Sequence, residues 1–274
     1  MIGCPSLRCL ALITGITLSG CAYGLDLAPE DKDLPRPSPP VAQEILRSLQ
    51  ERESRVTGLQ AVLDLTVRRA GTTEYRQEVA VIRRPDLIRL ENIGWGGFTS
   101  LVIVSDGHRL IAHALLQNLF VEGRATPENV ARVTGFHVAP AHLVRLLLGL
   151  PPLAVRLDRA ELYGPDSERG YLLREWESPF TQRLWLADDD LRVLRGELYD
   201  GTSLRLRFWY APAAGGLGTL FLEEPVKRTA VEVLYRSYTL NPELPRELFH
   251  VPQPSHGAQV IDLDRGAAQF LGLP

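Results

Sequence analysis

GLQAVLDLTVRRAGTTEYRQEVAVIRR, residues 58–84, is where the rhythm of this chain changes. Ahead of it apolar residues recur at helical spacing; within it they alternate. Leu59, Ala61, Leu63, Leu65 and Val67 hold the odd positions, while Gln60, Asp64, Thr66 and Arg68 hold even ones. Successive side chains of a strand point to opposite faces, so a period of two with one apolar set describes a half-buried strand. Gly71 and Thr72 supply a turn, and the second segment alternates again through Tyr75, Val79 and Val81. The pair reads as a long β-hairpin.

Working outward from the hairpin, the residues before it form a helix. Val41, Ile45, Leu49 and Val56 are spaced for one helical face, Glu44, Arg47, Glu51 and Arg55 lie between them, and Gly58 offers a stop. Downstream, short alternating segments follow at 86–93, 98–105, 108–115, 170–177, 181–187, 191–199, 202–210, 217–223 and 228–238. Asp106-Gly107 and Asp200-Gly201 are hairpin turns, because these residues tolerate positive φ. In SLRLRFWY, residues 203–210, Leu204, Leu206, Phe208 and Tyr210 form one face, and Arg205, Arg207 and Trp209 the other. The expectation is a mainly β protein: about eleven antiparallel strands in one curved sheet, apolar on one side and wet on the other.

A different texture interrupts the strands at about 116–150. Thr126 caps a helix with Pro127 at its first position, running through Val130, Ala131 and Val133 to Gly135. Pro140 opens a second short helix with Leu143, Leu146, Leu147 and Leu150 on one side and Gly149 near its end. Two short amphipathic helices in a strand meander must cover something. They either plug an ordinary core or form a movable lid over an apolar cavity.

The N-terminus carries an address. Arg8 is followed by an apolar or small run from Cys9 to Leu18, then Ser19, Gly20 and Cys21. A charged start, a short apolar stretch and small residues before a cleavage point describe a secretory signal. The run is too short to cross a bilayer, which takes roughly 20 apolar residues. LSGC also resembles the bacterial lipobox, which implies a signal peptide over 1–20 and lipid attachment at Cys21. Cys4 and Cys9 would leave with the signal, so the mature chain would have no thiol for a disulfide. Ala22, rather than aspartate, follows the anchor, which points to the outer membrane. Residues 22–40 hold five prolines, at 29, 35, 37, 39 and 40, and read with Cys21 as an extended tether for a domain spanning 41–274.

At the helical insertion the chain resembles a known family. RATPENVARVTGFHVAPAHLVRLLLGLPP, residues 124–152, is similar to the corresponding stretch of LolB, the outer-membrane lipoprotein that receives other lipoproteins. The likeness runs over roughly residues 41–240, including the final strand VEVLYRSYTLN. It implies a half-open antiparallel β-barrel with an N-terminal helix and a helical lid over 124–150. The implied lid contacts for acyl chains are Val130, Val133, Phe136, Leu143, Leu146, Leu147 and Leu150. The implied cavity wall is Leu63, Leu65, Val79, Val81, Leu204, Leu206 and Phe208. In LolB the hairpin between the third and fourth strands exposes a leucine that delivers cargo into the membrane. The matching stretch here, LENIGWGGFTSL, places Trp95 between Gly94 and Gly96 with Phe98 just after, an expected membrane-insertion loop. Beyond residue 240 the tail LPRELFHVPQPSHGAQVIDL looks more like the ending of LolA, the soluble carrier of the same fold.

The resemblance implies acylated lipoproteins as cargo, delivered by a periplasmic LolA-type carrier, and a monomer facing the periplasm from the inner leaflet of the outer membrane. No cofactor or metal is expected. The chain has no P-loop, nucleophile elbow or HExxH. His108 and His113 fall on opposite strand faces, His137 and His142 straddle the helical turn, and ADDDLR at 187–192 reads as a solvated hairpin turn. With 30 basic and 33 acidic residues and no basic run, composition gives no argument for nucleic acid. Two other readings stay open: a module of the same fold for another amphiphile or for envelope assembly, and a cell-envelope hydrolase.

Overall fold

The computed structural model describes residues 34–166, 170–211, 216–250, 253–254 and 256–265, with only the backbone at Trp95 and Asp166. The expected signal peptide, the expected lipid-attachment residue Cys21 and the expected tether through residue 33 lie outside the described residues. Helix α1 (Pro39–Ser54) opens two residues inside the stretch read as tether, with prolines at its first positions. Residues just before it already touch the domain: the Gly164 N–H donates to the Pro35 carbonyl at 2.6 Å, and Arg36 stacks on Tyr163.

After α1 come β1 (Gly58–Arg69), β2 (Thr72–Arg83), β3 (Leu87–Ile93), β4 (Thr99–Asp106), β5 (Arg109–Ala114) and β6 (Leu119–Arg124). Helices α2 (Pro127–Thr134) and α3 (Pro140–Leu147) follow, then β7 (Ala160–Asp166), β8 (Gly170–Glu177), β9 (Phe180–Leu186) and β10 (Val193–Asp200). The chain continues through β11 (Ser203–Tyr210), β12 (Leu220–Glu224), β13 (Thr229–Leu240) and β14 (Gln259–Asp262). All fourteen strands share one sheet, ordered β14-β6-β5-β4-β3-β2-β1-β13-β12-β11-β10-β9-β8-β7. The sheet stays open at β14 and β7. It is a meander whose long-range closure pairs β1 with β13, and only β14, parallel to β6, departs from antiparallel pairing. None of the described helices is long and apolar enough to cross a membrane.

The sheet therefore has more strands than the eleven expected from alternation. The first addition, β6, reads in sequence as part of the helical insertion because LFVEGR is short and leads straight into α2. The second, β7, contains Gly164-Pro165 and alternates poorly. The third, β14, has four residues and exists only because β6 offers it a free edge.

Register decides which face each residue takes. In β1 the odd positions point to the concave side, as their burial shows: Leu59, Ala61 and Leu63 are all buried. Their partners on β2 are Ile82, Ala80 and Glu78. Side chains directly opposite each other share a face, so β2 sends its even residues inward. Val79 and Val81, expected in the cavity wall, project from the other side. Val79 faces out beside Val62, and Val81 packs with Leu244 and Phe249 of the C-terminal segment. That segment also corrects the expectation of one wet face. Val102, Val104, Ile111 and Phe120 form a second outer cluster, against which Ala258 packs. The tail of the chain caps apolar positions that the alternation had assigned to water. In α1 the buried positions are Leu46, Leu49 and Glu53 rather than Val41, which is exposed.

The main core lies between the concave face and α1, α2 and α3. Leu206, Phe208, Leu198, Leu184 and Leu173 pack fully buried there, on the β8–β11 half. Phe208 fits because Gly196 sits opposite it in register; a Cβ at 196 would come within 2.1 Å of the ring.

Candidate functional site

Helices α2 and α3 form where their capping chemistry directs. The Thr126 hydroxyl accepts from the Asn129 N–H at 3.3 Å, Pro127 takes the first turn, and Gly135 ends α2 in the left-handed region at φ 89°. A buried link through Phe136 and Val138 leads to Pro140 and α3. Both helices lie across the concave face. Under them, against the β1–β4 and β12–β13 part of the sheet, is a hollow of about 120 Å³.

Leu63, Leu65, Leu90, Ile103, Leu222 and Val233 form the floor of the hollow; Val133, Phe136, Leu143 and Leu147 form its roof. At one side the lining becomes charged: Arg69, Glu74, Arg76 and Glu78 all border it. Arg76 pairs with Glu74 at 2.5 Å, and Glu74 is half exposed, so this side is the mouth. The cavity is thus amphiphilic, apolar inside and ionic at its opening.

Other expected lid and wall residues lie elsewhere. Val130 and Leu146 belong to the filled core, as do Leu206 and Phe208, and Leu204 is buried beside them on β11. None of these residues borders that hollow. Leu150 faces a separate hollow of about 310 Å³, bordered by Leu49, Leu184, Leu186, Tyr210 and Leu217. The expected insertion loop is a short 3-10 turn over Trp95–Gly97, with Gly96 at φ 82° and Gly97 at φ 81°. The Trp95 side chain lies outside the described residues. Phe98 is 75% exposed. On the next turn at the same end of the sheet, Leu116 is 78% exposed and Leu115 is also exposed, and the Leu115 N–H bonds the Ser100 carbonyl at 2.9 Å.

Alternation and spacing gave no sign of the polar groups that hold α3. Tyr210 donates its hydroxyl to the carbonyls of Leu146 and Leu150 at 3.1 and 3.2 Å, and Tyr235 to the Leu147 carbonyl at 2.9 Å. Both phenols are pushed above their usual range by burial. Arg145, on the opposite side of α3, donates through Nη2 to Glu53 Oε1 at 2.6 Å and to the Leu153 carbonyl at 3.1 Å. Its Nε donates to the Pro151 carbonyl at 2.6 Å. Glu175 stands in the same buried cluster, accepting from the Arg156 N–H at 3.2 Å and from the Gln182 side chain. Burial raises the Glu175 carboxyl to about 8 and Glu78 to about 7. The tyrosine contacts and the Arg145–Glu53 pair join residues 60 to 92 apart in sequence, so no local pattern announces them.

The histidines take structural places. His108 is exposed at the β4–β5 turn, His113 packs edge-on against Phe120 with centroids 5.5 Å apart, and His137 meets Glu128 at 3.3 Å. His142 packs edge-on against Phe180, and burial lowers it to about 4. Residues 187–192 form the β9–β10 turn, with Arg192 paired to Asp189 and Asp190. Among the described residues no group of three or more His, Cys, Asp or Glu side chains is arranged to hold a metal ion.

No family model matches the sequence, and no curated protein matches it. Solved structures match the fold. A domain from Vibrio parahaemolyticus described as that of an outer membrane lipoprotein-sorting protein superposes with a TM-score of 0.55 at 13% identity, covering 76% of this chain and 97% of that one. A LolA superfamily protein from Nitrosomonas europaea gives 0.53 at 15% identity, covering 77% and 97%. A DUF1329 family protein from Desulfovibrio piger gives 0.52 at 11% identity, covering 77% and 96%. At these identities the likeness establishes a LolA-like fold, an open sheet wrapped on helices.

Proposed function

We propose that this chain binds the acyl chains of lipoproteins in the hollow beneath α2 and α3 and inserts them into the outer membrane, to which Cys21 anchors it. The observation that carries this reading is the amphiphilic cavity: an apolar floor and roof with an ionic mouth, on a LolA-like fold. Exposing some forty CH₂ groups of three tails to water costs on the order of 30 kcal/mol, at roughly 0.8 kcal/mol per CH₂. Handing the tails between two apolar cavities avoids that barrier without nucleotide or metal. The end of the sheet bearing Phe98, Leu115 and Leu116 is the end at which β1 turns into β2 beside the mouth, so exposed apolar groups and the opening face the same way. That end meets the bilayer.

Helices α2 and α3 roof the hollow, so entry of a long tail is taken to involve displacement of this cover. A second reading, another amphiphile on the same fold, draws support from the charged lining at Arg69 and Glu78. A transfer assay separates the two. The protein is mixed with a carrier loaded with lipoprotein, and cargo is followed onto it and then into liposomes. Transfer is expected; lipid copurified with the protein but no transfer would favour the second reading.

A further inference from the structure

Glu78 is the one carboxyl in the cavity lining that is 5% exposed, and no described group hydrogen-bonds or ion-pairs with it. Its neighbour on the same face, Arg76, pairs with Glu74, and the Arg76 charge also acts on Glu78 without bonding it. Across the hollow the lid presents Val133, Thr134, Phe136, Leu143 and Leu147, with no charge among them. The Glu78 carboxyl is therefore open to a donor on a ligand, and its position indicates which part of the ligand that would be. Glu78 stands opposite Leu63 in register, between the apolar pair Ala61–Ala80 and the outer pairs Leu65–Arg76 and Val67–Glu74. It therefore marks the level at which a tail lying on the floor would end and its head begin. Nearer the mouth stands Arg69, its guanidinium lying over Gly135.

We propose that Glu78 receives a hydrogen bond from the root of the bound acyl group, so that the cavity selects amide-linked chains, which carry an N–H there, over ester-linked chains, which carry none. This rests on the reading of the hollow as an acyl-chain site. An ionised carboxyl only accepts hydrogen bonds, and a site with a buried acceptor discriminates against the analogue that leaves it unpaired. Beyond the amide, an anionic group on the ligand would meet Arg69.

The test uses two probes that differ in one atom: N-palmitoylglycine, an amide, and O-palmitoylglycolic acid, its ester. Each is titrated against the purified protein by displacement of a fluorescent fatty acid at pH 8, above the value of about 7 to which burial raises Glu78. The amide is expected to bind about tenfold tighter. Glu78→Leu should bring the two affinities together without weakening the ester, and Glu78→Gln, which still accepts through its carbonyl, should keep part of the preference. Thermal unfolding confirms that both variants fold. Equal binding of the probes by the unaltered protein, or a preference that survives Glu78→Leu, overturns the proposal. If neither probe nor palmitate binds, the acyl-chain reading itself fails, and this inference with it.

Discussion

At the residue scale, Glu78 couples the cavity to pH. The folded protein holds its proton up to about 7, whereas an unfolded glutamate releases it near 4.5. Between those values the native state binds the extra proton, so stability contributed by the neutral form is full below about 4.5 and is lost as pH rises through 7. Glu175, raised to about 8, acts in the same direction. The melting temperature is expected to fall as pH is raised from 5 to 8, and Glu78→Gln should flatten the decline. A variant with an unchanged slope would show that Glu78 stays ionised in the fold. The sequence could not single this residue out. Glu78 sits in a run of alternating polar residues that reads as a wet face, and only its pairing with Leu63 turns it inward.

At the scale of elements, the two helices over the hollow are tied at different places. The last turn of α3 is tied by Tyr210 and Tyr235, which reach it from the sheet. Loss of such a bond typically costs about 1 kcal/mol, and leaves the carbonyls without those donors. Tyr210→Phe combined with Tyr235→Phe is expected to lower stability by roughly 1–3 kcal/mol in urea unfolding and to speed exchange of a bound fluorescent fatty acid. Faster exchange without a change in affinity would locate the effect in opening. By contrast α2 is held at the C-terminal end of the chain, with Arg132 donating to the Leu263 carbonyl at 2.6 Å and Asn129 to Asp264 at 2.8 Å. The β3–β4 tip is the element to which the proposed function gives membrane insertion. Trp95→Glu should leave cargo binding intact while release into liposomes falls, since a carboxylate resists entry into the interface. Unimpaired release would remove this loop from the mechanism. The capping residues of both helices were legible beforehand, because Thr126, Pro127, Gly135 and Pro140 act within a few residues of themselves.

At the scale of the whole molecule, a buried ionic cluster joins α1 and α3 to the β8–β9 part of the sheet. Arg145 and Glu53 lie 92 residues apart and meet at 2.6 Å with almost no exposure. Breaking such a pair on one side strands the other charge, at about 3–5 kcal/mol. Arg145→Met is expected to destabilise the protein by that amount in urea unfolding, and Arg145→Met with Glu53→Leu to recover most of it. If the double variant were no more stable than the single, the loss would lie in the carbonyls of Pro151 and Leu153 instead. The C-terminal segment works at the same scale: Leu244, Phe249 and Ala258 cover outer-face clusters that would otherwise leave a hydrophobic patch in water.

The amino-acid order by itself determined the β meander, the inward face of β1 and β11, the opening helix and the two-helix insertion. Each follows from periodicity or capping, which operate over a few residues. Tertiary structure alone decided the strand count, the inward face of β2, the filling of the core by Leu206 and Phe208, and the polar ties on α3. Those depend on which distant strand supplies the partner, and a one-residue choice of face is invisible when both faces carry apolar and charged side chains in turn.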